Sequence, residues 1–214
     1  ADESMEQKTY IAATWLAGDA TDPLDAVLLR ILSLVLFGNE GAPLRKAVVD
    51  SRLGADLLHS GAANAGLENT FVAWLKGSEP DRRDAFLKLL TETLTATADA
   101  PIDPGLVDAA FQQAAYYYLE VLPMFPLHAM ERAMHSWIYG KDPLAFLQMG
   151  SHVEEARLRL AEDPGLLNGL IRERLLDNPH RLTVVLKPDR EMQGRLDADF
   201  AGRMKRVRER IDDG

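Results

Sequence analysis

The apolar positions of several short stretches follow the two-residue period of a β-strand. Three such stretches are clear, Thr9–Ala17, Thr70–Lys76 and Leu182–Leu186, and a weaker candidate lies between residues 55 and 65. The first two carry apolar side chains on both faces. Because an apolar face needs cover, we expect the resulting sheet to be covered on both sides.

Helix starts are marked by a recurring Asp-Pro dipeptide. Aspartate accepts hydrogen bonds from the free N–H groups of a first helical turn, and proline tolerates the first helical position. Two more helices are expected to begin near Pro80 and Pro126. The dipeptides that precede apolar runs are Asp22-Pro23, Asp103-Pro104, Asp142-Pro143 and Asp163-Pro164.

The helical patterns indicate different degrees of burial. In the helix after Pro23, the polar residues Asp25, Arg30 and Ser33 fall within a sector of about 140°, which predicts a mostly buried helix. The apolar residues between 166 and 175 keep to about half of the helical wheel, which predicts a helix on the surface. The element order predicts an α+β fold: a helix-rich two-layer sandwich with a small, mostly antiparallel sheet packed against helices.

The character of the chain changes after Lys187. Residues 188–211 are locally basic, with apolar residues at helical spacing. The pattern favours a C-terminal amphipathic helix, either packed on its own domain or part of a longer helical linker, over an RNA-binding or membrane-surface helix. We therefore predict an α+β domain over residues 1–187 and the start of an interdomain helical linker over residues 188–214.

Composition limits the function classes. The 214 residues are 47% apolar, and 24 Lys+Arg against 33 Asp+Glu give a net charge of −9, which argues against nucleic-acid binding and favours a basic partner. No cysteine is present, so thiolate metal sites and cysteine nucleophiles are excluded. The apolar run Ala26–Phe37 is shorter than the ~20 residues of a membrane span, so we expect a soluble protein without a membrane partner. The acidic start lacks the zones of a secretory signal, which weakly favours the cytoplasm.

Histidines are the remaining candidate metal ligands. His128, Glu131 and His135 lie at spacings that share a helical face. Two histidines seven residues apart are separated by ~10 Å along a helix, too far to reach one zinc ion at about 2.0–2.1 Å. Arg132 occupies the position at which the H-x-x-E-H motif would need its second histidine. An independent metal site at His128 and Glu131 is kept as a weak alternative, against an ordinary helix with Met130, Met134 and Trp137 in the core.

The other candidate residues favour structural roles. His152 and Glu155 form a two-ligand pair, and His59 and His180 stand alone near a turn and a strand start. The run Tyr116–Tyr118 is expected to bury one or two rings and expose another. No nucleophile elbow, P-loop or dinucleotide motif is present. We therefore assign no catalytic, cofactor-binding or metal-binding residue to this chain.

Four segments, Gly41–Asp56, Phe71–Gly77, Trp137–Pro143 and Asn178–Pro188, occur in the same order as the motifs of a known family. They resemble the presequence-protease subgroup of the insulinase/pitrilysin zinc metallopeptidases. Gly41–Asp56 is similar to S-P-L-Y-K-A-L-I-E-S-G-L-G-x-D of that subgroup, and Phe71–Gly77 to its F-x-V-G-L-K-G strand. Trp137–Pro143 resembles W-x-Y-G-x-D-P, and Asn178–Pro188 resembles N-x-H-x-L-T-x-x-x-x-P. The chain departs from this pattern where Arg52 and Trp74 replace glycines, so the local backbone is expected to differ there.

The resemblance implies a specific place in a larger enzyme. Members of the subgroup have four related α+β domains in two halves around a chamber, with zinc held by H-x-x-E-H in the first domain. This chain resembles the second, non-zinc domain, followed by the start of the linker hairpin. The implied function is a non-catalytic scaffold and chamber wall in a protease of unfolded oligopeptides. Its partners would be other domains of the same polypeptide and peptide substrate, with Zn²⁺ in the longer parent only. A free-standing helical binding or adaptor domain is the alternative.

Overall fold

The computed structural model describes residues 4–121 and 123–211 of the chain. Short 3₁₀ turns lie at Pro80–Arg82 and Ala145–Leu147, and a π turn, Arg172–Leu176, continues the helix Leu166–Ile171. The strands are β1 (Thr9–Asp19), β2 (Asp56–Leu57), β3 (Gly61–Ala65), β4 (Glu68–Ser78) and β5 (Arg181–Leu186). The helices are α1 (Pro23–Phe37), α2 (Pro43–Ser51), α3 (Arg83–Asp99), α4 (Pro104–Leu119), α5 (Phe125–Trp137), α6 (Met149–Glu162), α7 (Leu166–Ile171) and α8 (Met192–Arg208).

The strands form one antiparallel sheet in the order β2-β4-β1-β5, with β3 also paired to β4. In the centre of the sheet Ala13 of β1 lies opposite Ala73 of β4 and Thr183 of β5. The last strand returns from the far end of the chain to pair with the first. The α+β prediction, including all four strand candidates, is confirmed.

The helices cover only one face of the sheet. Alternate side chains of β1, such as Ile11 and Trp15, are buried, while Tyr10 and Leu16 between them are exposed. The expectation that both faces are covered is therefore wrong for the described part of the chain. A two-residue period shows which side chains share a face, but it does not show whether another element packs there.

The centre of the core is α1, whose predicted burial is confirmed. It contacts β1, β3, α2, α4 and α6, and side chains such as Val27, Ile31 and Val35 have no exposed surface. Burying a side chain of this size contributes about 1.5–3 kcal/mol. Ser33, one of the three polar positions of the pattern, is also buried, because its hydroxyl is hydrogen-bonded within the core.

The Asp-Pro dipeptides are helix starts in only some cases. Asp22 and Asp103 cap α1 and α4 as predicted. The helix after Asp163 begins a few residues later, at Leu166. The prediction is wrong at Asp142, whose carboxylate accepts from the Leu144 N–H at 2.8 Å and closes a turn leading to a 3₁₀ segment. The dipeptide supplies the same local hydrogen bond in a turn as at a helix start.

The predicted C-terminal helix is present as α8, and its apolar stripe is not covered. Leu196, Phe200, Met204 and Val207 are all exposed, Phe200 by 62%. Packing on its own domain is therefore wrong for the described residues, and the linker interpretation stays a prediction. The boundary between residues 187 and 188 stays a prediction. None of the helices in the described ranges combines the length and the hydropathy that crossing a bilayer requires.

The two departures from the family pattern have different surroundings. Arg52 follows α2 with φ +54° and ψ +25°, the left-handed conformation that glycine adopts most readily. Trp74 lies in β4 opposite Ala12, and its ring meets Tyr10 edge-on with centroids 6.3 Å apart. Arg52 thus adopts a conformation that glycine favours, and Trp74 adds aromatic surface to the uncovered sheet face. The expectation that the backbone differs from that of the family at these two positions stays a prediction.

Candidate functional site

The candidate metal ligands on α5 do not converge on one point. His128 Nδ1 lies 3.3 Å from Glu131 Oε2 on the exposed side of the helix. His135 is turned away, with Nε2 donating to the Ala20 carbonyl at 3.0 Å and its ring 4.5 Å from the Phe146 ring. Each histidine therefore has its own partners, and the pair His128–Glu131 has no third ligand among the described residues.

The remaining histidines occupy structural positions. His152 Nδ1 is 3.8 Å from Glu155, whose carboxylate also accepts from Arg159. His59 lies in the turn between β2 and β3, and the His180 carbonyl accepts from the Leu16 N–H at the start of β5. Within residues 4–121 and 123–211, no group of three or more His, Asp or Glu side chains could hold a metal ion.

The apolar side of α5 faces solvent. The residues predicted as core, Met130, Met134 and Trp137, are exposed, Trp137 by 60%, and Ser136 is the buried residue of this helix. That prediction is wrong because α5 packs mainly on the 3₁₀ segment and lies at the margin of the helical layer. Helical spacing cannot distinguish a face turned to the core from one left for a partner.

A cavity of about 220 Å³ lies where α1, α4 and α5 approach β3 and β4. We call it the α1–α5 cavity. Its wall combines apolar side chains with several that carry hydrogen-bond donors. The residues lining it are Ala26, Arg30, Ala62, Ala63, Asn69, Tyr117, Tyr118, Arg132, His135, Phe146 and Met149.

Arg30 enters this cavity from the buried helix α1. Its guanidinium carbon lies 4.5 Å from the centroid of the Tyr117 ring, a cation–π contact. Its Nε atom is buried and has no hydrogen-bond partner, and no carboxylate of the described residues lies within 4 Å. The cation is thus held by packing and by an aromatic face.

Arg132 enters the same cavity from α5. Its Nη1 donates to the Tyr118 carbonyl at 3.0 Å, which ties the end of α4 to α5. Burial raises the pKa of the Tyr118 hydroxyl to about 12, while the charges of Arg30 and Arg132 oppose that rise. Tyr118 therefore stays protonated at neutral pH and can donate a hydrogen bond beside two cations.

Two carboxylates lie beyond Arg132, in an adjoining cavity of about 370 Å³. Glu120 accepts from the Tyr116 hydroxyl at 2.8 Å, and Glu131 is paired with His128. Neither lies within 4 Å of the Arg132 guanidinium, which would have made an ion pair. The positive charge inside the α1–α5 cavity is therefore not neutralised by direct contact.

The sequence pattern does not predict this cavity. In the sequence, Arg30 is a polar interruption of an apolar helix, and Arg132 stands where a zinc motif would have its second histidine. The tyrosine run behaves as expected, with Tyr116 and Tyr117 exposed and Tyr118 half-buried. An arginine in an otherwise buried helix is the signal that could have pointed to the cavity, since unpaired charges are costly to bury.

A partly buried ion pair elsewhere has a structural role. Asp25, at the start of α1, lies 3.5 Å from Arg174 and accepts weakly from Asn69 at 3.4 Å. Arg174 also donates to the Ala17 carbonyl at 3.0 Å. Burial raises the pKa of Asp25, and the charge of Arg174 counteracts it. These contacts join α1, β1 and the π turn, and Asn69, which donates to Asp25, also lines the α1–α5 cavity.

Three separate surfaces expose apolar side chains. The first, the open sheet face, carries Tyr10, Leu16, Leu182 and Leu186. The second is the outer side of α5, and the third is the stripe of α8. Large exposed apolar patches mark surfaces that contact other proteins or domains.

No protein-family model matches the chain. Among curated proteins, presequence protease 1 of Arabidopsis thaliana is 28% identical over 198 residues, covering 89% of this chain and 18% of that protein. The mitochondrial presequence protease of Mus musculus is 29% identical over 190 residues, covering 86% and 18%. Protein HypA of Clostridium perfringens is 23% identical over 215 residues, covering 99% and 22%. The chain thus spans about a fifth of the length of these relatives.

Solved structures with the same fold include peptidase domains named as inactive. One is the inactive peptidase domain of a protein described as a zinc protease from Bordetella parapertussis, with a TM-score of 0.66 and 17% identity, covering 85% of this chain and 91% of that one. Another is the peptidase M16 inactive domain from Pseudomonas fluorescens, with a TM-score of 0.60 and 16% identity, covering 85% and 41%. The resemblance predicted from the four motifs is confirmed, as is the metallopeptidase-like α+β fold.

Proposed function

We propose that this chain, similar to presequence proteases over most of its length, is a non-catalytic domain of a longer zinc-dependent metallopeptidase. The observation that carries the proposal is its fold, shared over 85% of the chain with domains named as inactive peptidase domains. Its relatives are about five times longer, which leaves room for a separate catalytic domain.

The residues of this chain do not fit the zinc that the family implies. A catalytic zinc needs three protein ligands, and the His–carboxylate sets on the described helices are pairs. The zinc-dependent chemistry is therefore proposed to take place in another domain. When bound in another domain, zinc would activate the attacking water.

The proposed role of this domain is to scaffold the protease and form part of its chamber wall. The open sheet face, the outer side of α5 and the stripe of α8 are apolar surfaces suited to other domains of the same polypeptide. The substrates proposed are unfolded oligopeptides, including basic presequence-like ones, for which the net charge of −9 is favourable.

Incubating the purified chain with zinc and a fluorogenic basic peptide tests whether the chain lacks peptidase activity. We expect no hydrolysis above the rate without protein, and no effect of a metal chelator. Chelator-sensitive turnover that survives further purification would contradict the proposal.

The alternative, a free-standing binding or adaptor domain, is favoured by the same uncovered apolar surfaces. The coding sequence upstream of Ala1 distinguishes the two. A continuous reading frame of about 250 codons encoding H-x-x-E-H supports the protease role, whereas a gene beginning near Ala1 supports the adaptor.

A further inference from the structure

We propose that the α1–α5 cavity binds the carboxylate of a small organic acid or of a peptide C-terminus, held between the guanidinium groups of Arg30 and Arg132. The proposal rests on the charge, donors and shape of this cavity. It is independent of the proposed role as a non-catalytic protease domain.

Two partly buried arginines without a carboxylate partner lie at this cavity. Elsewhere among the described residues three half-buried arginines pair with carboxylates, Arg45 with Asp56, Arg157 with Asp108 and Arg174 with Asp25. The other half-buried arginine, Arg82, donates to two carbonyls, as Arg132 donates to one. Arg30 and Arg132, in contrast, have no carboxylate within 4 Å among the described residues, although the chain has nine more acidic than basic residues. Two cations in one cavity without a carboxylate partner favour the binding of an anion there.

Hydrogen-bond donors surround the place where the anion would lie. Arg30 Nε is buried without a partner, and Arg132 uses one nitrogen on the Tyr118 carbonyl, which leaves its other donors available. Tyr118 lines the same cavity as both arginines, and its hydroxyl is a further hydrogen-bond donor. A planar guanidinium matches a carboxylate through two parallel hydrogen bonds.

Shape and nearby charge favour an organic monoanion over phosphate. The cavity volume of about 220 Å³ is that of roughly seven water molecules in the liquid, which is more than a bare inorganic ion occupies. Ala26, Phe146 and Met149 provide an apolar wall that suits a side chain beside the carboxylate. Glu120 and Glu131 in the adjoining cavity repel a dianion more strongly than a monoanion.

Titration of the isotopically labelled 214-residue chain, followed by NMR of the arginine Nε–H and His135 ring signals, tests the proposal. The probes are N-acetylalanine, which has a free carboxylate, N-acetylalanine amide, which has none, and inorganic phosphate. We expect saturable chemical-shift changes with N-acetylalanine. The amide should bind at least about tenfold more weakly, which corresponds to a difference of ~1.4 kcal/mol in binding free energy. Equal binding of acid and amide, tighter binding of phosphate, or no saturable shift would overturn the proposal.

Variants locate the binding to the two arginines. Arg30→Met and Arg132→Met each remove one positive charge. Each should weaken the binding of N-acetylalanine at least about tenfold, as expected when a charge-assisted hydrogen bond is lost. Arg203→Met on exposed α8 makes the same charge change and should leave binding unaltered. Equal loss in all three variants would contradict the assignment.

Two further variants separate binding from folding. Arg30→Lys keeps the charge but not the planar fork, so it should bind more tightly than Arg30→Met. Glu131→Gln removes a repulsive charge outside the cavity and should tighten binding, provided circular dichroism shows an unchanged fold. A tightening variant cannot be explained by misfolding, and failure of both expectations would refute the site while leaving the proposed protease role untouched.

Discussion

Arg52 ends α2 in a conformation that most residues avoid. Its φ of +54° places it in the left-handed region, where a Cβ atom costs about 1–2 kcal/mol relative to the right-handed one. Its carbonyl accepts from Arg82, which helps to fix this geometry between α2 and β2. This left-handed conformation is a physical reason for glycine to occur at this position in the family that the chain resembles.

The Arg52→Gly variant is therefore expected to gain stability. Glycine removes the strain but loses more backbone entropy, so we expect a gain of up to about 1 kcal/mol in the free energy of unfolding, measured with urea. Arg52→Ala removes the same side chain while keeping the Cβ atom. If alanine stabilises the chain as much as glycine does, the backbone explanation is wrong.

Asp25 gives the chain a pH-dependent stability. Its pKa is raised in the folded state, first by burial, above the 3.8 usual for aspartate. The folded state then binds the proton more tightly than the unfolded chain. The resulting stabilisation is complete below the unfolded pKa and is lost as pH rises through the folded pKa.

Asp25→Asn should remove this dependence, because asparagine does not titrate. The stability of the variant minus that of the wild type is expected to rise with pH above about 3.8, in urea titrations at successive pH values. Arg174 opposes the raised pKa, so in an Arg174→Met background the rise should extend to higher pH. A difference that falls with pH would contradict the assignment.

Among the elements, α1 and β3 are joined by a buried hydroxyl. Ser33 Oγ donates to the Leu29 carbonyl at 2.7 Å and accepts from the Ala62 N–H at 2.6 Å. Gly61, at φ +118°, lets the strand approach, since a Cβ there would lie 2.8 Å from the Ser33 Cβ. The edge of the sheet thus depends on one side chain of the central helix.

We predict that Ser33→Ala lowers the free energy of unfolding by about 1–3 kcal/mol, because the Ala62 N–H loses its partner inside the protein. Urea denaturation measures the change. Thr91→Ala on α3 removes an exposed hydroxyl bonded only within its own helix and should change stability by less than about 0.5 kcal/mol. Equal effects of the two substitutions would show that the link to β3 contributes nothing.

For the molecule as a whole, the apolar area left uncovered is as informative as the core. The open sheet face, the outer side of α5 and the stripe of α8 lie on different elements, so one small ligand could not cover them all. This distribution is expected of a domain embedded in a larger assembly, and it supports the proposed place in a longer protease.

Substitution of the α8 stripe tests that view. The double substitution Leu196→Gln and Phe200→Gln should change the free energy of unfolding of the isolated chain by less than about 0.5 kcal/mol, since both side chains are exposed. In the proposed longer protease the same pair should lower the melting temperature, because another domain is expected to bury these residues. Phe86→Ala, in the core, should cost about 3–5 kcal/mol in both. An unchanged parent would argue against α8 as a contact surface.

Patterns with a local physical cause were readable along the chain. The strands around Ala13 and Ala73, the buried helix after Pro23 and the caps at Asp22 and Asp103 all follow from alternation, periodicity and hydrogen bonding within a few residues. The four family motifs also predicted the fold, because they occur in the family's order between residues 41 and 188.

Tertiary structure alone decided where apolar faces point and which charges meet. Trp137 and Phe200 have the spacing of core residues, yet their faces are open, because packing depends on neighbours that periodicity does not encode. Arg30 and Arg132 stand 102 positions apart in the sequence, and only the approach of α5 to α1 places both in one cavity. Sequence patterns specify local hydrogen bonds and burial tendencies, whereas a binding site depends on distances between segments that only the folded chain defines.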